Sequence, residues 1–351
     1  MNSEWEEFLA SQGAKIENNR VTTFGQTIAE ENAAFSSLVL ADLSHYGLIE
    51  ASGDDVIEFL QGQTTNDIKS VTEHTGQLSA YCNPKGRILA NFRIFKRDNH
   101  FYLRLRGDIL EATLKRLRMF VMRSKVELVD SSDNLVRFGI AGVQATNALS
   151  VLFKEVPDKV DNYCTENDIS LIKLPGDVPR YEAHGPVQSM LTLWQRLVQA
   201  DAVMISENSW NLLTVRAGIP EIVSETVEDF VPQMVNLQAI NSLSFTKGCY
   251  PGQEVVARMH YLGKNKRRLF LASVTTDTLP QPGQAILTSE ENEEKAGEIV
   301  SASWSEENKA ELLAVLQIAK AEQSKLHLNS TTGPELKLHD LPYSLEIEET
   351  K

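Results

Sequence analysis

The sequence is poor in cysteine and contains no metal-binding pattern of cysteine and histidine. Three cysteines occur in 351 residues, Cys82, Cys164 and Cys249, and no two of them form a CxxC pair. Such wide and irregular spacing indicates neither a zinc site nor a disulfide framework. Few, unpaired cysteines are typical of proteins from a reducing compartment. We therefore expect no metal site, and we interpret Cys82 and Cys164 as structural residues.

Positive charge and long apolar runs are scarce as well. The chain has 34 lysines and arginines against 48 acidic residues, a formal net charge of −14. This balance argues against broad, non-specific binding of nucleic acid, which needs a basic surface. The first seven residues are acidic where a signal peptide would be basic. No run approaches the roughly 20 apolar residues of a membrane span, so we expect a cytoplasmic protein without a membrane partner.

The chain has instead the ordinary composition of a globular protein, with 42% hydrophobic and 23% charged residues. Its length predicts two or three domains. Apolar spacing predicts helices at 3–12, 107–122, 187–199 and 207–216. The same patterns predict strands at 38–51, 77–82, 87–95, 101–105, 135–141, 170–174 and 180–183, with a further helix at 143–153.

The order of these elements predicts an α+β fold with two ferredoxin-like α+β modules and a C-terminal small β-barrel. After Arg267 the sequence shows short strands at 268–274, 297–304 and 311–319, separated by polar turns and without a helical pattern. The predicted domains are 1–134 and 135–245 for the two modules, 246–266 for a signature loop and basic linker, and 267–351 for the barrel. Segments exchanged between the first two modules are compatible with this division.

One segment concentrates reactive side chains: Lys247-Gly248-Cys249-Tyr250-Pro251-Gly252-Gln253-Glu254. Its glycines and proline impose an irregular backbone that a ligand or another chain segment can approach closely. A nearby cation and the start of a helix at Gln253 both favour the thiolate form of Cys249. The alternative is a small, buried cysteine in a Gly-Pro turn, because free cysteine is among the most buried residue types.

A basic run follows the signature segment. Between Val255 and Val274 no acidic residue occurs. A phosphate, a carboxylate tail or RNA could bind there, while the alternative is a solvated linker. Only Tyr261 and Phe270 are interleaved aromatic residues, which makes a weak nucleic-acid signature. The candidate anion-binding or RNA-binding residues of this run are Arg258, Lys264, Lys266, Arg267 and Arg268.

The signature segment resembles the K-G-C-[YF]-x-G-Q-E motif of the YgfZ family, whose members are similar to the T-protein of the glycine cleavage system. The resemblance extends over nearly the whole chain. Further blocks that look like those of the family are 59–67 (FLQGQTTND), 83–87 (NPKGR), 230–233 (FVPQ), 236–239 (NLQA) and 341–346 (LPYSLE).

The resemblance implies a ring of three domains around a central cavity that holds tetrahydrofolate or a derivative. Aromatic side chains line that cavity in the family, and Trp210 and Tyr46 fall at the corresponding positions. It further implies an accessory role in the maturation or repair of iron–sulfur enzymes, including one that methylthiolates tRNA, with Cys249 as the functional thiol. Without the resemblance, a tryptophan on a helix from Glu207 to Arg216 is more often a core residue than a cofactor contact, and that alternative stays open.

Two other functions remain open at this stage. One is a folate-dependent aminomethyltransferase or demethylase, as in the T-protein. The T-protein carries an aspartate where this chain has Ala90 and Asn91, so the group for acid–base chemistry is missing and a stand-alone enzyme is not expected. The other is a tRNA-binding module that uses the basic run, with a weak tRNA contact.

Overall fold

The computed structural model of the protein describes residues 1–25, 33–261, 263, 265–289 and 294–345. The chain divides into two compact units, each assembled from separate segments. Unit 1 consists of Met1–Phe59, Lys69–Gln77 and Arg93–Trp210. Unit 2 consists of Leu60–Ile68, Leu78–Phe92 and Asn211–Lys351. The domain boundaries expected at residues 134, 245 and 266 stay predictions.

Eight α-helices lie within the described residues. They are α1 (Ser3–Ser11), α2 (Val56–Gln63), α3 (Leu110–Val121), α4 (Ala145–Ser150), α5 (Val187–Gln199), α6 (Glu207–Arg216), α7 (Gln253–Tyr261) and α8 (Ile318–Gln323). The helices expected at 3–12, 187–199 and 207–216 are confirmed, as is the helix start at Gln253. None of the helices in the described part of the chain is long and apolar enough to cross a membrane.

The β-strands of the described residues begin with β1 (Lys15–Glu17), β2 (Arg20–Thr23), β3 (Val39–Asp42), β4 (Tyr46–Ser52), β5 (Gln77–Cys82), β6 (Ile88–Arg97), β7 (His100–Arg106), β8 (Glu127–Asp130), β9 (Val136–Ala141) and β10 (Tyr163–Glu166). They continue with β11 (Ile169–Leu174), β12 (Arg180–Gly185), β13 (Val203–Ile205), β14 (Arg267–Thr275), β15 (Ala285–Thr288), β16 (Lys295–Glu306), β17 (Lys309–Gln317), β18 (Leu326–Leu328) and β19 (Leu336–His339).

A six-stranded sheet of unit 1 has the order β10-β11-β12-β9-β3-β13. Its neighbours run antiparallel except β13 and β3, which are parallel. Helices α1 and α5 contribute to the core on this sheet, where the ring of Trp194 lies edge-on to Trp5 at 5.4 Å and to Phe138 at 5.0 Å between centroids. Aromatic rings bury much apolar area in few residues, and they fix α1 and α5 against the sheet.

The second sheet of unit 1 places β4 between β7 and β8, all antiparallel. Strand β7 has β4 on one side and residues Arg93–Arg97 of β6 on the other. The first half of β6 belongs to unit 2, so the chain passes from one unit to the other within this strand. In the register of β4 and β7, Tyr46 pairs with Arg106 and Leu48 with Arg104.

The C-terminal sheet of unit 2 has the order β18-β15-β16-β17-β14-β19. A single bridge between His327 and Glu335 joins its two edges, so the sheet curls into a half-barrel. Every second residue of a strand points to the same face, and the aliphatic residues at such alternate positions fill the interior of this sheet. They include Leu312, Ala314 and Leu316.

Two strand predictions need correction. The single strand expected at 38–51 is two strands, because the Asp42 carboxylate accepts hydrogen bonds from the Ser44 amide (3.1 Å) and from the indole of Trp5 (2.7 Å), and this contact turns the chain after β3. The strand expected at 311–319 ends at Gln317, where α8 begins. Helix α8 has no buried residue, so no amphipathic pattern predicted it. The strands that were not predicted are β1, β2, β8, β10, β13, β15, β18 and β19.

Candidate functional site

The signature segment is fixed within unit 2 through its lysine. The buried ammonium of Lys247 donates hydrogen bonds to the carbonyl oxygens of Gln61 (2.7 Å), Asn66 (3.1 Å) and Thr64. These carbonyls lie in and just after the last turn of α2, where helix carbonyls lack partners and a cation is favourable. Burial lowers the pKa of Lys247 to about 8, against the opposing effect of Asp67. Lys247 thus caps α2.

A glycine contact fixes the other end of the segment. Gly252 has a φ of +80°, and a Cβ there would stand 2.5 Å from the carbonyl oxygen of Asn83 and 2.6 Å from Cα of Gly86. Asn83 also stabilises the chain reversal that begins with it, because its Oδ1 accepts hydrogen bonds from the backbone amides of Lys85 (2.8 Å) and Arg87 (3.0 Å). The two sequence blocks 83–87 and 247–254 therefore pack backbone against backbone.

Tyr250 is a further buried anchor of the loop. Its ring lies 5.3 Å from the ammonium of Lys247, within the range of a cation–π contact. Its hydroxyl is buried and finds no hydrogen-bond partner among the described residues. Burial raises the pKa of this phenol. A buried hydroxyl without a hydrogen bond costs free energy. Within the described structure, the Tyr250 hydroxyl is the one buried side-chain polar group of the signature segment in this state.

Cys249 lies between these anchors and is exposed. Around the adjacent Gly248 no atom lies within 4 Å of the point where a Cβ would stand. The other two cysteines differ, because burial raises the pKa of Cys82 to about 12 and that of Cys164 to about 11. The interpretation of Cys249 as a small buried residue is therefore wrong, while its thiolate character and its role as a functional thiol stay predictions.

Trp210, the first predicted folate contact, is buried in unit 1 on α6. Gly139 of β9 lies against its ring so closely that a Cβ there would stand 2.4 Å from the indole. The guanidinium of Arg180 lies over the same ring, 4.6 Å from a ring centroid. The backbone at Gly139 and the Arg180 guanidinium are therefore both in contact with this indole.

Tyr46, the second predicted folate contact, is also buried in unit 1 and is also covered by cations. The guanidinium carbons of Arg104 and Arg106 lie 4.0 Å and 5.4 Å from its ring centroid. The imidazole of His45 packs beside it at 4.2 Å between centroids. Arginine over an aromatic face is a cation–π arrangement, so both predicted aromatic contacts share one motif.

Buried carboxylates balance these arginines. Glu182 on β12 lies 3.3 Å from Nε of Arg104 and 2.9 Å from Nε2 of His184. Burial alone would raise the pKa of Glu182, but Arg104 and His184 lower it well below the usual range of a carboxyl. Burial lowers the pKa of His184, with Glu182 opposing the change.

A second carboxylate, Glu207, meets the group around Tyr46. It lies 3.4 Å from Arg106, 3.7 Å from Arg20 and 3.8 Å from His45. His45 is buried, and neither of its ring nitrogens has a hydrogen-bond partner among the described residues. Burial and the nearby arginines hold the pKa of His45 well below its usual value. The site therefore contains polar atoms available to an additional group.

The arginines and carboxylates of unit 1 were not predicted as site residues. A signal was present in the sequence, since Arg180, Glu182 and His184 alternate on β12, and Arg104 and Arg106 alternate on β7. Residues two apart in a strand share one face. Every residue of β12 is buried, so the alternation marks a buried polar face rather than a solvated one.

The residues of the basic run do not all take the same environment. Arg258, Lys266 and Arg267 are exposed. Arg268 is half-buried, and its guanidinium lies 4.6 Å from the ring centroid of Phe270. Lys264 lies outside the described residues. Whether these side chains bind RNA or another anion stays a prediction.

Asn91 is one of the two residues predicted to replace the catalytic aspartate of the T-protein. Its side chain bonds to backbone groups of unit 2. Its amide nitrogen donates to the carbonyl of Pro220 at 2.7 Å, and its Oδ1 accepts the amide of Ile222 at 2.9 Å. The side chain therefore fixes the segment after α6. Elsewhere, no group of three or more His, Cys, Asp or Glu residues in the described ranges is placed to hold a metal ion.

Comparison with known proteins places the chain in a family. The family model of the GCVT N-terminal domain matches residues 5–244. The tRNA-modifying protein YgfZ of Colwellia psychrerythraea is 35% identical over 313 residues, 88% of this chain and 94% of that protein. The YgfZ protein of Klebsiella pneumoniae is 33% identical over 310 residues, again 88% of this chain and 94% of that protein.

Among solved structures, the aminomethyltransferase T of the glycine cleavage system from Bartonella henselae superposes with a TM-score of 0.78. It covers 97% of each chain at 16% sequence identity. At this identity the likeness shows the fold, which is a mixed α/β fold like that of the T-protein. The resemblance read from the signature motif is thus confirmed, and the chain belongs to the YgfZ family.

Proposed function

We propose that the protein binds tetrahydrofolate or a derivative and acts in the cytoplasm as an accessory factor for iron–sulfur enzymes, among them one that methylthiolates tRNA. Membership of the YgfZ family supports the link to tRNA modification, because the relatives carry the name tRNA-modifying protein. The T-protein-like fold supports folate as the ligand. The finer architecture of two ferredoxin-like modules and a barrel around a central cavity belongs to the same proposal.

The observation that carries the proposal is the exposed Cys249 between buried anchors. Lys247 and Tyr250 are buried on either side of it, and Gly252 is pressed against the turn at Asn83. Such anchoring presents one thiol at a fixed place while the neighbouring side chains point elsewhere. The loop is therefore suited to an encounter with another protein, in which only the sulfur needs to be reached.

One thiol limits the chemistry that Cys249 supports. A cluster usually takes four thiolates, so a ligand role needs a client protein or small thiols to supply the others. In a redox role, the Cys249 thiolate attacks one sulfur of a client disulfide, expels the other sulfur as a thiolate and forms a mixed disulfide with the client. A low-molecular-mass thiolate then attacks the Cys249 sulfur and expels the second client thiolate, and another such thiolate frees Cys249 and leaves as the low-molecular-mass disulfide. Both roles require a partner that brings the remaining sulfur atoms.

The arginine-covered aromatic residues of unit 1 fit an anionic ligand with a flat ring. A pterin that stacks on Trp210 takes the place of the Arg180 guanidinium, which then becomes available to a folate carboxylate. The same exchange applies to Tyr46 and Arg104. The unpaired ring nitrogens of His45 add polar atoms for a pterin edge.

Folate binding is tested with Trp210→Ala and with Trp210→Leu, which keeps apolar bulk but loses the aromatic face. Both variants should weaken the binding of tetrahydrofolate by about 1–3 kcal/mol, the range for one stacked ring, in isothermal titration calorimetry. Trp194→Leu, a change of another buried tryptophan of unit 1, serves as the control. Unchanged affinity in both Trp210 variants would place this residue in the core only.

The thiol role is tested in cells that lack the protein. Wild type should restore methylthiolation of tRNA, measured by mass spectrometry of nucleosides, and Cys249→Ala should not. Cys164→Ala, which removes a half-buried cysteine, is the matched control and should restore it. Complete restoration by Cys249→Ala would refute the functional-thiol proposal. Release of a one-carbon unit by the purified protein would favour the aminomethyltransferase instead.

A further inference from the structure

Three aromatic rings from two parts of the chain meet at the end of α7. The ring of Phe245 stacks on His260 at 3.7 Å between centroids, with 14° between the planes. Tyr261 stands edge-on to both, at 4.7 Å from His260 and 6.1 Å from Phe245. Tyr261 is 65% exposed. Because Tyr261 joins two other rings, the three form one contiguous patch rather than a single scattered residue, and exposed apolar patches mark binding sites.

The basic residues on either side of this aromatic cluster are tied to a common support. The side-chain amide of Gln233 donates to the backbone carbonyl of Val256 in α7 at 2.7 Å, and the backbone carbonyl of Gln233 accepts from the side-chain amide of Asn265 at 2.9 Å. Gly263 lies close to α7, since a Cβ there would stand 3.0 Å from the carbonyl oxygen of Met259. Gly263 therefore lies against α7, and Asn265 is bonded to the same glutamine as α7.

Basic residues occur on both sides of the cluster in the sequence. Arg258 lies on α7 before the rings, and Lys266 and Arg267 follow Asn265 directly. All three are exposed, and none of them forms an ion pair with a carboxylate of the described chain. In a chain of net charge −14, the stretch 255–274 holds five basic residues and no acidic one, although Glu254 lies one turn before Arg258 on α7. Such a local excess of positive charge favours the binding of an anion.

From these contacts we propose that the cluster of Phe245, His260 and Tyr261 is a stacking platform for an unpaired base of single-stranded RNA, whose phosphates meet Arg258, Lys266 and Arg267. Aromatic faces that stack bases beside a basic track are how proteins bind single strands. A duplex hides its base faces, so it offers the platform nothing to stack on. The choice of RNA over DNA rests on the proposed function. The stacking platform for a single strand does not depend on that function.

The binding of labelled oligonucleotides tests the platform. Fluorescence anisotropy is measured with an oligouridylate of roughly twelve nucleotides, within the range that single-strand sites cover, and with the DNA and duplex counterparts. Tyr261→Ala should weaken binding of the single strand about tenfold, and Tyr261→Phe should restore it. Arg258→Ala removes one phosphate contact, so the negative slope of log affinity against log salt concentration should become less steep by roughly 0.7.

Phe120→Ala is the matched control, because Phe120 is also an exposed ring with exposed arginines close to it in sequence, Arg118 on α3 and Arg123 just after its end. It should leave the affinity unchanged. Equal losses in Tyr261→Ala and Phe120→Ala, or no binding at about 50 mM salt, would overturn the proposal. Equal affinity for DNA would keep the platform and remove the preference for RNA. Cys249→Ala should bind the oligonucleotide normally, so failure of the thiol role and failure of the platform are distinguishable.

Discussion

The signature loop of unit 2 and the polar face of unit 1 are built by different means. The loop is fixed onto backbone groups, through the carbonyls to which the Lys247 ammonium donates and through the close approach of Gly252 to Asn83. The polar face is fixed by side chains, through the contacts of Glu182 with Arg104 and His184. Backbone contacts tolerate almost no substitution at the glycine, whereas a charge network depends on every partner.

The largest expected loss comes from the charge network. Glu182→Gln leaves Arg104 and His184 buried without their carboxylate, and breaking a buried pair in this way costs about 3–5 kcal/mol. Urea unfolding at neutral pH measures the loss. Because the pKa of Glu182 lies below the usual carboxyl range, its contribution is present at neutral pH and is lost as the pH falls. The difference between variant and wild type should therefore shrink in acid.

The exposed Glu111 on α3 gives the control for this prediction. Glu111→Gln removes one negative charge without breaking a buried contact, and surface changes of this kind stay within about 0.5 kcal/mol. If Glu182→Gln were as mild as Glu111→Gln, the polar face of unit 1 would not depend on its charges.

The next largest loss is expected at the glycine contact of the loop. Gly252→Ala forces a Cβ onto the Asn83 carbonyl and a side chain into a φ of +80°. Strain in the left-handed region and overpacking against rigid backbone together cost about 3 kcal/mol. Gly248→Ala meets no atom within 4 Å and should be nearly neutral. Equal unfolding curves for the two variants would contradict the backbone contact.

A smaller loss is expected for the helix cap. Lys247→Met keeps the aliphatic stem but leaves the carbonyls of Gln61, Thr64 and Asn66 without a donor, which costs about 2 kcal/mol. Burial lowers the pKa of Lys247 to about 8 from 10.5. Between these values the unfolded chain binds more protons, so the free energy of unfolding of the wild type rises with pH. The Lys247→Met variant should lack this rise. If the free energies of unfolding of variant and wild type changed with pH in the same way, the buried ammonium would not be its cause.

The smallest effect on stability is expected at the exposed thiol. Cys249→Ala removes a side chain that is not packed, so the free energy of unfolding should change by no more than about 0.5 kcal/mol. Cys82→Ala, at a buried cysteine, should cost more. Thermal unfolding of both variants measures the contrast. A large loss in Cys249→Ala would mean that the thiol supports the loop rather than serving a partner.

Local patterns predicted the elements that have strong local causes. The apolar spacing of 187–199 predicts α5 over the same residues, and the glycines and proline before Gln253 predict the start of α7. The hairpin of β10 and β11 was missed although Asn167 and Asp168, both with positive φ, form its turn. Such a turn is a local signal, and it was available in the sequence.

The sequence by itself determined the family, the signature segment and the periodicity of most elements, because glycine, proline and apolar spacing act on the chain locally. Only the tertiary structure decided which side chains meet. It brought Phe245 to His260, Gly139 to Trp210 and Arg104 to Tyr46. The partners in each pair are separated by 15 to 71 positions in the printed sequence, and no local preference specifies contacts between such distant residues, since they form only when sheets and helices pack.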